Sequence, residues 1–313
     1  MGYCKEGQWI EASLISQSDT GTFIRQSSVF REGIKKNKTA RFSAEKNRYH
    51  LYVSLACPWA HRTLIFRQLK SLASVISVSV VAPYMGNHGW SFNEGPGVIP
   101  DTIERKHYLK ELYLIADQNY TGRVTVPVLW DKKEHTIVNN ESSEIIRYFN
   151  SAFNDITGNT EDYYPEALKT EIDEINDMIY HKINNGVYKV GFTTHQEAYN
   201  IEVHALFDAL DALENRLEQQ PYLCGDRITE ADWRLFPTLL RFDCVYYGHF
   251  KCNIKHIWDY PMLSNYLKRL YRMPGVRETC NFDHIKQHYY GSHPGLNPSG
   301  IVPAGPERSL DEA

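Results

Sequence analysis

An α/β amino-terminal domain followed by an all-α carboxy-terminal domain is the architecture this sequence predicts. Three observations carry that expectation. Short β-rich and apolar runs alternate with helical patterns across residues 46–153. A stretch rich in Asn, Asp, Thr and Gly, residues 154–165, then breaks the alternation. Beyond it, across residues 166–290, apolar side chains recur at three and four, the stripe of a helix. With 313 residues the chain is long enough for two domains, each with its own core.

Residues 1–45 are polar and mixed, with lysines clustered at 35–38, and are expected to wrap the body as an irregular extension. Tyr49–Ser54 reads as a strand. Pro58–Leu72 reads as a helix with proline in its first turn. Ile76–Val81 is an apolar run fit for a buried strand, so this β-α-β order predicts a parallel pair with a helical crossover. Residues 83–103, with their Gly, Pro, Asn and Trp, read as an inserted loop.

Glu104–Ala116 places Tyr108, Leu109, Leu112 and Ile115 on one helical face. Val124–Trp130 and Thr136–Val138 read as strands flanking the turn Asp131-Lys132-Lys133. Ser142–Asn150 is a helix carrying Ile145, Ile146 and Phe149. The sum is β-α-β-α-β-β-α, a thioredoxin-like order.

In the second domain, Tyr199, Val203, Leu206, Phe207, Leu210, Leu213 and Leu217 form the stripe of a bundle helix within 195–219. Thr229-Glu230-Ala231-Asp232 resembles a capping box ahead of the apolar run Leu235–Leu240. Leu263, Tyr266, Leu267 and Leu270 mark a further helix, stopped by Met273-Pro274-Gly275. Residues 291–313, rich in Gly and Pro, are expected to lie along the surface or fray.

Net charge is −4, which gives no bulk reason to expect nucleic acid as a partner. The longest apolar stretch, around Val75–Ala82, is too short to span a bilayer, so no membrane partner is expected. No apolar signal segment is visible at the amino terminus, and the cytosol is the expected compartment. Six scattered cysteines without a C-x-x-C pair argue against a disulfide framework or a zinc knot.

Of these, Cys57 stands apart. It falls between a predicted strand and a helix whose first residue is Pro58. A thiol there meets free backbone N–H groups and the positive end of the helix dipole, which favour thiolate and lower its pKa below the free value. His61 and Arg62, one turn on, add positive charge. The competing reading is a buried structural cysteine. Ala60 stands where a dithiol enzyme carries its second cysteine, so a mixed disulfide on Cys57 needs an external thiol to clear it. Glutathione is the abundant candidate.

A tripeptide needs anchors. Val126-Pro127 precedes a predicted strand and is either a cis-proline turn, leaving the Val126 backbone to pair with a peptide, or an ordinary edge proline. Glu141-Ser142 opens a helix: a hydroxyl and N–H groups suit a carboxylate, and Glu141 suits an ammonium, the two charges of a γ-glutamyl group. Simple capping is the alternative. His284 and His288, one turn apart, have metal-ligand spacing but no convincing third ligand, so no metal is expected.

The segment Tyr49-His50-Leu51-Tyr52-Val53-Ser54-Leu55-Ala56-Cys57-Pro58-Trp59-Ala60-His61-Arg62-Thr63 resembles the signature of the glutathionyl-hydroquinone reductases, the Xi class of glutathione transferases. So do Gly122–Trp130, Asn140-Glu141-Ser142, Asn184–Tyr188 and Asn281–Ile285, and the resemblance covers nearly the whole chain. It implies the glutathione transferase fold, glutathione as co-substrate without metal or flavin, and a homodimer. It also implies a reaction: Cys57 takes the glutathionyl group from a glutathionylated aromatic, a hydroquinone leaves, and a second glutathione releases glutathione disulfide.

Carried over by motif, Trp90, Arg123, Val126, Glu141 and Ser142 resemble the glutathione contacts, and Tyr188 and Tyr289 the tyrosines of the aromatic pocket. Read without the motif, Trp90 is a loop anchor and either tyrosine is packing. Cys244 stands where the family more usually has proline, and the tail after Pro306 is short. Two other functions share the thiolate step or the fold: a general thiol transferase or dehydroascorbate reductase, and a non-enzymatic binding module.

Overall fold

The computed structural model describes residues 2–12, 21, 23–307 and 310–311. Two compact units emerge. The first holds the described residues within 1–14, 26–161 and 278–292, the second those within 15–25, 162–277 and 293–313. Both are discontinuous in sequence, and the last helix groups with the first unit instead of with the helices that precede it.

Within the first unit, residues 2–11 form a hairpin of β1 (Gly2–Lys5) and β2 (Gln8–Glu11), where the sequence suggested irregular structure. Its turn uses Glu6 at φ 48° and Gly7 at φ 77°. Two consecutive left-handed residues match the twist of a tight hairpin, and glycine tolerates that conformation without strain. Buried Cys4 anchors the hairpin by exchanging backbone hydrogen bonds with Gly122.

The central sheet has the order β4-β3-β5-β6, from β3 (Tyr49–Val53), β4 (Ser77–Val80), β5 (Val128–Asp131) and β6 (Thr136–Asn139). β3 runs parallel to β4 and antiparallel to β5, which pairs antiparallel with β6. The expected parallel pair and hairpin are both present. All five residues of β3 are buried, as a central strand covered on both faces requires. Arg48 ties the extension to this sheet: it donates to Asp131, to the Ser43 hydroxyl and to the Arg41 carbonyl.

Helix α1 (Pro58–Leu69) ends three residues before the expected Leu72, and a 3₁₀ turn follows at Leu72–Ser74. The helix expected over Glu104–Ala116 begins only at Leu109, as α2 (Leu109–Ala116). Asp101 explains the difference, because its carboxylate accepts the N–H groups of Ile103, Glu104 and Lys106 and folds that stretch as a loop. Helix α3 (Ser142–Ser151) packs on α1, and the short α4 (Asn154–Thr157) follows it.

The second unit is helical: α5 (Lys169–Ile179), α6 (Gly186–Phe192), α7 (Gln196–Gln219), α8 (Glu230–Arg241), α9 (Tyr247–His249) and α10 (Pro261–Tyr271). Leu206, Leu210 and Leu213 of α7 are buried, as the stripe predicts. The capping box forms: Thr229 accepts from the backbone of Asp232, whose carboxylate accepts the Thr229 N–H. Single π-helical turns, Tyr180–Asn184 and Phe242–Tyr246, precede α6 and α9. Helix α11 (Phe282–Ser292) closes the first unit. Of the tail, His293 is buried, and residues 308, 309, 312 and 313 lie outside the described residues.

Candidate active site

Cys57 occupies the N-cap of α1 in extended conformation (φ −78°, ψ 123°), with Pro58 behind it in the first turn. Proline suits this position because its fixed φ is already helical and its missing N–H has no intrahelical partner to lose. Cys57 is partly exposed, and its sulfur lies 3.5 Å from the Val126 carbonyl oxygen. The Val126-Pro127 bond is cis, so this proline is not an ordinary trans edge proline. Just upstream, the Tyr113 hydroxyl donates to the Thr125 carbonyl at 2.8 Å and accepts from Asn140 at 3.1 Å, fixing the segment that presents Val126.

Other thiols differ in their surroundings. Cys4, Cys224, Cys244 and Cys252 are buried, and Cys280 is partly exposed. Burial raises the pKa of Cys4, pushes Cys224 up to about 11 and puts Cys252 well above the ordinary thiol range. Those three stay protonated and unreactive at neutral pH.

Glu141 is the N-cap of α3. It accepts the N–H of Ser143 at 3.1 Å, the Ser143 hydroxyl at 2.9 Å and the Ser28 hydroxyl at 3.0 Å. Burial works against its charge, but these bonds and the Arg62 guanidinium outweigh burial and hold the carboxyl below its ordinary range. Arg62 is itself buried, with its guanidinium 4.7 Å above the Trp59 ring. Next to this anion, the buried Ser142 hydroxyl has no hydrogen-bond partner among the described residues. At the start of α3 this hydroxyl lies beside the free N–H groups of the first turn, where an anionic group is favoured. The pair therefore offers an anion for an ammonium and a free hydroxyl at a helix N-terminus for a carboxylate, the two charges of a γ-glutamyl group.

Trp90 is buried in the inserted loop, its ring 4.8 Å from that of His288. Arg123 is half-buried on the segment leading to Val126, where the Tyr120 hydroxyl donates to its carbonyl. Tyr289 lies buried on α11, so seven of the eight expected site residues fall in the first unit.

Tyr188 belongs to the second unit. It sits on α6 in an aromatic cluster with Phe192, Tyr246 and Phe250, and the Arg25 guanidinium lies 4.8 Å over its ring. Arg25 in turn donates to the Asn185 side chain at 2.7 Å. Sequence reasoning gave no sign of Arg25, Ser28 or Tyr113, because each meets its partner only through the tertiary fold.

His284 and His288 of α11 both lie against the inserted loop. Each has a ring nitrogen on a loop carbonyl: His284 Nε2 on Pro96 at 2.6 Å and His288 Nδ1 on Pro83 at 2.9 Å. Among the described residues no group of three or more His, Cys, Asp or Glu side chains is arranged to hold a metal ion.

Family models match in both halves: "Glutathione S-transferase, N-terminal domain" over residues 56–152 and "Glutathione S-transferase, C-terminal domain" over residues 196–269. The Xi-class transferase of Natrialba magadii is 47% identical and superposes with a TM-score of 0.94, over 100% of this chain and 95% of that one. The chain belongs to the Xi class of glutathione transferases.

Two relatives extend this Xi-class assignment. Glutathionyl-hydroquinone reductase PcpF of Sphingobium chlorophenolicum is 53% identical over 99% of this chain and 98% of its own length. Glutathionyl-hydroquinone reductase YqjG of Escherichia coli is 53% identical over 100% of this chain and 97% of its own. The glutathione-bound structure of YqjG superposes on this Xi-class chain with a TM-score of 0.88, at 55% identity, covering 90% of this chain and 94% of that one.

Proposed function

We propose that this Xi-class transferase reduces glutathionyl-hydroquinones to hydroquinones with glutathione as reductant, and that Cys57 is its nucleophile. In the first step the Cys57 thiolate attacks the sulfur of the substrate's glutathionyl group. The bond from that sulfur to the ring carbon breaks, its electron pair stays with the ring, and a proton from solvent or a site acid completes the hydroquinone. Cys57 is left as a mixed disulfide with glutathione. A second glutathione thiolate attacks the glutathionyl sulfur, releasing Cys57 thiolate and glutathione disulfide. The ring gains the two electrons that the thiols lose.

In this reading Trp90, Arg123, Val126, Glu141 and Ser142 hold glutathione. Glu141 takes the γ-glutamyl ammonium, and the free Ser142 hydroxyl takes its carboxylate. The phenols of Tyr188 and Tyr289 hydrogen-bond the quinol oxygens and stabilise charge developing there. The observation that carries the reading is a partly exposed single thiol at a helix start, with Ala60 where a resolving cysteine would stand, in a chain 53% identical to two named reductases of this kind. The same reading takes the enzyme to act in the cytosol as a homodimer. Among the described residues no helix is long and apolar enough to cross a membrane.

Mass spectrometry after incubation with a glutathionyl-hydroquinone tests the mechanism. One glutathione adduct on Cys57, cleared by added glutathione with release of the disulfide, is the expected result. Turnover in Cys57→Ala, or an adduct confined to another cysteine, overturns it.

A further inference from the structure

The histidine pair of α11 is left without a role by the chemistry above, although its spacing marks it out in the sequence. Both histidines face the inserted loop. His288 Nδ1 lies 2.9 Å from the Pro83 carbonyl at the start of the loop, and His284 Nε2 lies 2.6 Å from the Pro96 carbonyl further along. Between these, the Ser292 hydroxyl accepts the N–H of Met85 at 2.9 Å. Gly97, at φ 76°, comes so close to His284 that a Cβ there would lie 2.7 Å from its Nε2. One helix thus holds the loop at positions 83, 85, 96 and 97.

Trp90 lies within this held stretch, and its ring stacks on His288 at 4.8 Å with an interplanar angle of 26°. The other end of the same segment reaches the nucleophile's helix. There Thr279 Oγ1 lies 2.7 Å from His61 Nε2, one turn beyond Cys57. Tyr289, next to His288 in sequence, is carried on the same helix.

We propose that His288 is a positioning residue for glutathione: its ring, fixed by the Pro83 carbonyl, sets the plane of the Trp90 indole against which the tripeptide binds. This rests on the reading of Trp90 as a glutathione contact. A flat ring stacked on an indole removes its freedom to turn, and a contact surface fixed in advance loses less entropy on binding.

Glutathione affinity, measured by calorimetry in the Cys57→Ser background, tests the proposal without turnover. His288→Ala is expected to weaken glutathione binding about tenfold. In the Cys57 enzyme the same change is expected to raise KM for glutathione while kcat stays within about twofold. His288→Phe keeps the flat ring but loses the Pro83 bond that fixes it, so it is expected to recover only part of the affinity. Unchanged affinity in His288→Ala overturns the proposal, as does equal loss in His288→Ala and His288→Phe. A wild-type chain that binds glutathione but does not reduce glutathionyl-hydroquinones would sink the proposed function, while the affinity difference between these variants would still decide the role of His288.

Discussion

The sulfur of Cys57 lies 3.5 Å from the carbonyl oxygen of Val126, a contact that a thiol makes as donor. Loss of the proton turns this contact from attraction to repulsion, and a thiolate is then better served by the N–H groups at the start of α1. Cys57→Ser keeps a donor for the Val126 carbonyl but does not ionise at neutral pH. It is therefore expected to fold and bind glutathione normally while turnover falls on the order of 10³-fold or more. Release of glutathione disulfide from a glutathionyl-hydroquinone reads the loss, and calorimetry reads the retained binding.

Ser142 offers a sharper test of the glutathione site, because it separates stability from function. Its buried hydroxyl has no hydrogen-bond partner among the described residues. Ser142→Ala removes an unsatisfied group, so the free protein is expected to keep its stability or gain up to about 1 kcal/mol. Glutathione binding is expected to weaken by roughly 10-fold or more, the loss of one hydrogen bond to a charged group. Urea titration and calorimetry on one preparation read both. A destabilised variant with unchanged glutathione affinity would make Ser142 a structural cap.

These two residues mark what the sequence makes legible. Pro58 fixes the start of α1 and so the placement of Cys57, and Glu141-Ser142 marks the start of α3, because both signals are local. The β1–β2 hairpin escaped because its Glu6-Gly7 turn lacks the Asn-Gly or Asp-Gly pair that signals such a turn most strongly. The late start of α2 depends on Asp101, whose carboxylate gathers three N–H groups that a helical pattern would claim. Least legible was α11. Its periodicity is that of any helix, and its place in the first unit rests on long-range contacts, among them those of His284 and His288 with loop residues 188 and 205 positions away.

Asp232 is the most exacting single position of the second unit. Its buried carboxylate accepts four hydrogen bonds: from the N–H groups of Leu223 and Thr229 and the hydroxyls of Thr229 and Tyr266. Each oxygen faces two donors, so an amide nitrogen at either place meets donors only. Asp232→Asn is therefore expected to destabilise the protein nearly as much as Asp232→Ala, by about 3 kcal/mol or more in each case. Chemical denaturation measures it. An Asn variant close to wild type would show that this network tolerates a missing acceptor.

Two buried histidines predict how stability responds to acid. Burial lowers the pKa of His50 to about 4 and that of His249 to about 4. His50 is bonded at both nitrogens, to the Ser77 hydroxyl at 2.7 Å and the Ser79 hydroxyl at 2.9 Å. Ser79 donates to the Pro100 carbonyl, so it accepts from His50 Nε2–H, and His50 Nδ1 is left to accept from Ser77. That network suits the neutral ring. Above a pH of about 6.5 both histidines are neutral whether the chain is folded or unfolded, and neither changes the stability. As pH falls through about 6.5 the unfolded chain takes up protons that the folded chain refuses, so stability falls, and the fall ends near pH ~4 where the folded rings protonate too. Each histidine contributes up to about 3 kcal/mol to that loss. Urea midpoints between pH ~7 and ~4 are expected to drop steeply in the wild type and less in His50→Gln, whose amide does not titrate. Equal slopes in the two proteins would mean that His50 does not drive the acid response.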